Sequence, residues 1–355
     1  MDPSARELLI LVPGSAKMAR GSQRDRLVRG IVTTSERIAI KAVDEDDVPA
    51  DVVRLAATAD RDTHQIDVVE AYWNDLAPSM HNAGVRTKFM RGTSLLIYWA
   101  YSGVWRGFHN RRYLTLGLIS GAVALITWYY GTAAMFVQAL VADETAPGAV
   151  RSALGPLLPL MQAVGTWKVW AVASMVMGLI PVNMLIDILD LAKRYLSNER
   201  TDADQVGLRM QIRSRVREQI LAATQNDDYS RVTILGHSFG TVVATDVVAD
   251  LPVSSCPLRF ITTGSPIELL KRRAEWLPQE ALKCLRRSDL SSWTDICSDG
   301  DWFASGADLP EHDKVRSLRV PIEGTFLDQV SGRTHGGYFD RDEVIAVLVE
   351  PPVAA

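Results

Sequence analysis

The stretch from Arg231 to Asp250 constrains the fold more than any other part of the chain. Arg231-Val232-Thr233-Ile234-Leu235 is a β-branched, apolar run with the look of a strand. Thr241 to Asp250 is small and apolar, as a helix packed on a sheet should be. Between them stands Gly236-His237-Ser238-Phe239-Gly240, a G-x-S-x-G sequence. A strand that turns into a helix within so few residues needs a turn so tight that neighbouring side chains must vanish, hence Gly236 and Gly240. Such a turn lifts the Ser238 hydroxyl above the edge of the sheet. It also aims the Phe239 N–H, at the start of the helix, toward a developing oxyanion.

A serine hydroxyl is a poor nucleophile until a base takes its proton. The chain has six histidines: His64, His81, His109, His237, His312 and His335. On a sheet that carries this elbow the chain order is Ser, then Asp or Glu, then His, which leaves His312 and His335. His335 sits in the glycine-bearing stretch Thr334-His335-Gly336-Gly337-Tyr338, just before a closing helix, where a loop can return a side chain to the top of the sheet. His312 lies among Glu311, Asp313 and Lys314 and reads as solvated surface, so His335 is the favoured base. The acid must orient the imidazole and stabilise its charged form. Trp293-Thr294-Asp295-Ile296-Cys297-Ser298-Asp299-Gly300-Asp301 is a strand followed by an acidic loop. Asp301 is favoured because Gly300 provides a turn to re-aim it. Asp299 and Asp295 are the alternatives, and a turn role is the plain reading of any one of them.

The remaining pattern fits an α/β protein. Glu7 to Val12 reads as a buried strand closed by Pro13-Gly14-Ser15, Gly21–Gly30 as a helix and Ile66 to Trp73 as a second strand. The Asp44–Asp47 stretch reads as a solvated turn. Leu208 to Gln225 is an amphipathic helix with Ile212, Val216, Ile220 and Leu221 on one face. Leu258–Thr263, Trp293–Cys297 and Ser317–Ile322 read as further strands, and Arg341–Val349 as the closing helix. Strands alternating with helices imply βαβ units and a mostly parallel sheet flanked by helices.

Composition adds a second constraint. The net charge of −4 disfavours a nucleic-acid binder, and 47% hydrophobic against 23% charged residues excludes wholesale disorder. Cys256, Cys284 and Cys297 are unpaired in spacing, so neither a zinc pattern nor a disulfide framework follows. Free thiols, and a start without the basic-then-apolar order of a signal peptide, favour the cytosolic side. The mean hydropathy of +0.04 is high for an enzyme that lives in water, and the excess is local. Tyr113 to Ala142 is 30 residues without a charge, and Val169 to Ile186 is 18 more, whereas a bilayer core needs about 20 apolar residues in a helix. Spans are expected near 114–138 and 166–187, with Pro181 and Asn183 kinking and polarising the second. The outer flanks carry Lys88, Arg91, Arg106, Arg111, Arg112, Lys193, Arg194 and Arg200, while the loop between the runs is not basic. By the positive-inside rule both ends, and the globular body they build, face the cytoplasm. The plainer alternative is a hydrophobic lid or a buried hairpin. The expected organisation is an N-terminal part of the globular domain over 1–100, a helical, transmembrane insertion with the apolar hairpin over 101–200, and a C-terminal part with the catalytic residues over 201–355.

The whole pattern resembles the α/β-hydrolase superfamily, in particular its lipase-like and esterase-like serine hydrolases. The pieces that carry the resemblance are Leu11-Val12-Pro13-Gly14, the elbow at 236–240, Phe260 to Pro266, the segment 293–302 and the loop 334–340. It covers roughly residues 7–75 and 205–350, with the apolar hairpin where this superfamily accepts lid insertions. In such relatives a Trp-x-Asn strand leads to a Gly-Asp pair with the triad acid, which implies Asp301. A His-x-x-Tyr loop bears the base, which implies His335 with Tyr338 behind it. The resemblance also implies a second oxyanion N–H near Ser15. The chain departs from the pattern in having Pro13-Gly14 in place of His-Gly and Asp295 in place of the common Asn.

The expectation is therefore a multi-pass, membrane-anchored serine ester hydrolase acting on a lipid or amphiphilic ester through an acyl-enzyme. Its catalytic residues are Ser238, Asp301 and His335, with Phe239 and Ser15 as oxyanion donors and no cofactor or metal. Thioester or amide cleavage could use the same residues. The hairpin is the expected contact for a second copy or a membrane-protein partner. The competing expectation is a non-catalytic membrane scaffold that keeps the hydrolase fold.

Overall fold

A computed structural model describes residues 6–15, 18–34, 39–43, 51–59, 62–78, 85–100, 137–159, 182–200, 205–225, 229–325 and 331–350, with 49, 131, 133, 134, 328 and 329. Its frame is one eight-stranded sheet: β1 (Arg6–Val12), β2 (Ala39–Val43), β3 (Val52–Ala59), β4 (Asp62–Glu70), β5 (Arg231–His237), β6 (Leu258–Thr263), β7 (Leu290–Cys297) and β8 (Val315–Arg319). The spatial order is β2-β3-β4-β1-β5-β6-β7-β8. From β4 to β8 every pairing is parallel, while β2–β3 and β3–β4 are antiparallel. β1 pairs with β4 on one side and with β5 on the other. Residues before and after the apolar region thus build a single sheet.

The labelled helices are α1 (Ser22–Thr34), α2 (Val85–Ala100), α3 (Val182–Leu196), α4 (Leu208–Thr224), α5 (Gly240–Val248), α6 (Trp276–Leu285) and α7 (Asp342–Leu348). They cover both faces of the sheet, and the strands show it in sequence. On β1, Leu8, Ile10 and Val12 enter the core under α3, α4, α5 and α6, whereas Leu9 and Leu11 enter the core under α1 and α7. Strands buried on both faces read as continuous apolar runs, which is why 8–12 is LLILV. On α4, Leu208, Ile212, Val216 and Ile220 are buried at helical spacing, and Leu221 is half-buried beside them.

A buried charge network locks the helical layer over the elbow helix. Asp246 of α5 has no exposed side-chain surface. It accepts from Arg209 Nη2 at 2.6 Å, Arg209 Nε at 2.8 Å and the Tyr195 hydroxyl at 2.9 Å. The Arg209 guanidinium also lies 3.4 Å from the ring centre of Trp276. Helices α3, α4 and α5 meet at this carboxylate, and Arg209 carries the tie on to α6 through Trp276. Tyr195, Leu191, Ala192 and Leu196 of α3 all belong to the main core.

Two sequence expectations shift. The strand expected over 317–322 is Val315–Arg319, an edge strand whose Arg316, Ser317 and Arg319 are exposed. The apolar Val320 and Ile322 are buried after it, outside the strand. The hairpin strands β2 and β3 had no counterpart in the sequence reading. The spans expected near 114–138 and 166–187 fall mostly outside the described residues; of the second, 182–187 form the start of α3. Among the described residues no helix is long and apolar enough to cross a membrane.

Candidate active site

The turn after β5 has the expected strand-to-helix geometry. Ser238 has φ +54°, a left-handed conformation that costs a non-glycine residue energy and that the surroundings must enforce. They do so through bonds on both sides. Ser238 N donates to Thr263 O at 2.9 Å, and the Ser238 carbonyl accepts from Thr241 N at 3.0 Å and from Thr241 Oγ1 at 2.7 Å. A Cβ on Gly236 would lie 2.7 Å from Thr241 Cα, and one on Gly240 would lie 2.2 Å from Val12 O. Both glycines are therefore required by close packing: Gly236 under the new helix, Gly240 against the end of β1. The Phe239 N–H stands in the first turn of α5, where a helix leaves amide donors unpaired. Its ring is held by Tyr195, edge-on at 5.4 Å, and by Trp73 at 6.1 Å.

The loop after β1 meets the elbow directly. A Cβ on Gly14 would fall 2.9 Å from Ser238 Cβ and 3.4 Å from its Oγ. Buried side chains fix this loop. Trp73 Nε1 donates to Pro13 O at 3.0 Å, and Asn74 Nδ2 donates to Gly14 O at 2.7 Å. Gln23 accepts the Gly14 N–H at 3.1 Å and returns a bond to its carbonyl at 3.3 Å. The Gly14 amide is thus committed to Gln23, and the next amide along the loop is that of Ser15, which is half-buried.

Asp301, in the loop after β7, and His335, in the short 3-10 helix Arg333–Asp340 where a loop was expected, come together across 34 residues of sequence. His335 Nδ1 lies 2.7 Å from Asp301 Oδ2, with the imidazole 17% exposed and the carboxylate fully buried. The same oxygen accepts the Tyr338 hydroxyl at 2.9 Å, and Asp301 Oδ1 accepts the Phe303 N–H at 3.0 Å. Three partners thus satisfy the buried carboxylate. Tyr338 is itself anchored, since its hydroxyl accepts the Ser298 N–H at 3.2 Å. Burial, reinforced by the neighbouring Asp301 charge, pushes the Tyr338 phenol well above its usual range, so it stays a donor.

Ser238 and His335 both stand beside Thr263-Gly264 at the sheet edge, and no hydrogen bond joins their side chains. Ser238 bonds to Thr263 O, and the His335 Cε1 atom lies 3.1 Å from where a Cβ on the next residue, Gly264, would be. His237, beside Ser238, stacks on the His335 ring at 5.3 Å, and Phe303 lies 5.3 Å from that ring on a tilt. Burial first, then the His335 and Arg26 charges, holds His237 well below the usual histidine range; it is a neutral spacer. The alternative candidates lie elsewhere. Asp295 is buried in a structural clamp, accepting from Thr262 Oγ1 at 2.6 Å and Ala307 N at 2.8 Å. Asp299 is 77% exposed and pairs with Arg319. His312 faces Asp313 at 2.5 Å on the surface.

The sequence reading missed the hydroxyl of Tyr338 as an Asp301 donor, and the Gln23, Asn74 and Trp73 bonds that set the Gly14 loop. It also missed Asp246, for which one signal was available: a lone aspartate inside the apolar helix TVVATDVV. Two open clefts of about 560 Å³ lie away from Ser238. One, lined by Tyr229, Cys256 and Leu258, is at the opposite edge of the sheet, and the other lies over Ser298 and Ile322. Among the described residues no cluster of His, Cys, Asp and Glu could hold a metal ion. No family model, no curated protein and no solved structure matches the chain.

Proposed function

We propose that the protein is a serine hydrolase that cleaves a carboxylic ester through an acyl-enzyme. The observation that carries this reading is the buried Asp301–His335 pair, 2.7 Å apart, set at the same sheet edge as a serine held at φ +54°. Ser238 Oγ attacks the ester carbonyl while His335 Nε2 takes its proton. Asp301 holds the opposite ring nitrogen and stabilises the imidazolium. The oxyanion accepts from the N–H groups of Phe239 and Ser15. The collapse of the tetrahedral intermediate breaks the ester C–O bond, and His335 returns its proton to the leaving alcohol. Water, deprotonated by His335, then releases the acid and restores Ser238.

The two charge-free runs favour a membrane setting for this activity, with the globular body on the cytoplasmic side and a lipid or amphiphilic ester as substrate. Labelling by a fluorophosphonate probe tests the catalytic part. Wild type should label and Ser238→Ala should not; folded protein that stays unlabelled contradicts it. Carbonate extraction tests the membrane part, since release into the supernatant contradicts an anchored hairpin and leaves the triad reading intact.

A further inference from the structure

Arg26 occupies an unusual place for a cation. It lies on α1, the helix that follows the Gly14–Ser15 loop, and its guanidinium rests on the loop that carries His335. A Cβ on Gly336, the residue after His335, would lie 2.6 Å from Arg26 Nη1 and 3.0 Å from Nη2. The guanidinium charge reaches the buried imidazole of His237, which stacks on His335, and disfavours its protonation. A neutral ester gains nothing from a positive charge here, whereas an ester that brings a negative charge to the same spot is attracted to it.

Arg26 is also accessible for that purpose. Its side chain is 40% exposed, and its ion pair with Asp340 is long, 3.4 Å, to a carboxylate that is itself 61% exposed. An exposed pair of this length is weak and readily exchanged for a better anion. Arginine suits the exchange because its planar fork matches a carboxylate or phosphate with two parallel bonds.

We propose that Arg26 is a specificity-determining residue that binds an anionic group, carboxylate or phosphate, close to the scissile bond, so that the substrate is an anionic ester. The inference rests on the serine-hydrolase reading. The two sources of the anion, the acyl part or the alcohol part, are separated by the choice of ester. Near-isosteric 4-nitrophenyl pentanoate and mono-4-nitrophenyl glutarate differ by a carboxylate on the acyl side. Dihexanoylglycerol and dihexanoyl phosphatidic acid differ by a phosphate on the alcohol side. Wild type should prefer the anionic member of at least one pair, and high salt should shrink the preference. Arg26→Gln should lower kcat/KM for that anionic ester about tenfold or more and leave its neutral partner within about twofold. Asp340→Asn releases the guanidinium from its present partner and should raise the anionic preference.

If Arg26 serves only to strap α1 to the His335 loop, both substitutions lower both esters by the same factor, and the proposal is overturned. It is equally overturned if wild type shows no anionic preference in either pair. Turnover of none of the four esters by folded wild type contradicts the hydrolase reading itself and removes this inference with it.

Discussion

Tyr338→Phe deletes one oxygen and keeps the ring. That oxygen donates to Asp301 Oδ2 at 2.9 Å and accepts the Ser298 N–H at 3.2 Å. A hydrogen bond to a charged group contributes about 1.5–3 kcal/mol, and a buried amide left without an acceptor costs about 1–3 kcal/mol. The variant should therefore lose about 3 kcal/mol of stability, read by urea unfolding. Its effect on catalysis has a different signature. Asp301 keeps Phe303 N on Oδ1 and His335 on Oδ2, so the imidazole stays oriented. The value of kcat/KM for 4-nitrophenyl butyrate should therefore fall no more than about tenfold, against the far larger loss expected when a triad member itself is removed. A loss of about a thousandfold or more in folded protein, or unchanged stability, would contradict this role for the hydroxyl.

Gly14→Ala places a methyl 2.9 Å from Ser238 Cβ and pushes the Ser15 amide away from the oxyanion position. The expected result is kcat about 10- to 100-fold lower with KM and Tm little changed, since loss of one oxyanion donor costs about that much or more. His237 is held neutral below its usual value of 6.5, so beneath that pH the unfolded chain binds a proton that the folded chain refuses. Its contribution is a loss of stability as pH falls below about 6.5, by about 1.4 kcal/mol per pH unit, and none above it. Unfolding free energies at pH 7 and pH 5 should show a smaller acid loss in His237→Phe than in wild type; equal losses would contradict the assignment. Asp246→Ala strands Arg209 and Tyr195 in a buried site and should cost about 3–5 kcal/mol, measured by urea unfolding.

What the sequence revealed divides along lines of range. The elbow was legible because its demands are local: a β-branched strand, two glycines excluded from bearing a Cβ, and a small-residue helix within 20 residues. The contact between His335 and Asp301 was legible because chain order narrows six histidines to two and the flanking glycines single out His335. The strands buried on both faces, such as 8–12, announced themselves as unbroken apolar runs. The hairpin β2–β3 did not, because it forms the antiparallel end of the sheet and intersperses Lys41 and Arg54 among its small residues. β8 was misplaced for a related reason: at the other edge the strand itself carries Arg316 and Arg319. The apolar residues that resemble a strand are buried one turn of chain later. Bonds between distant residues, Tyr195 to Asp246 and Tyr338 to Asp301, leave no periodic mark in a sequence at all.

The proposed chemistry stands or falls on an acyl-enzyme formed at Ser238 with the help of His335 and Asp301. Rapid mixing of a known amount of protein with 4-nitrophenyl butyrate, followed by intact-mass and peptide analysis, tests it most directly. A burst of one nitrophenol per protein and a butyryl mass on the peptide containing Ser238 are expected, with the burst rate lowered at least about a thousandfold in His335→Ala. A burst that survives in Ser238→Ala, or turnover with no acyl mass on that peptide at any time, would contradict it.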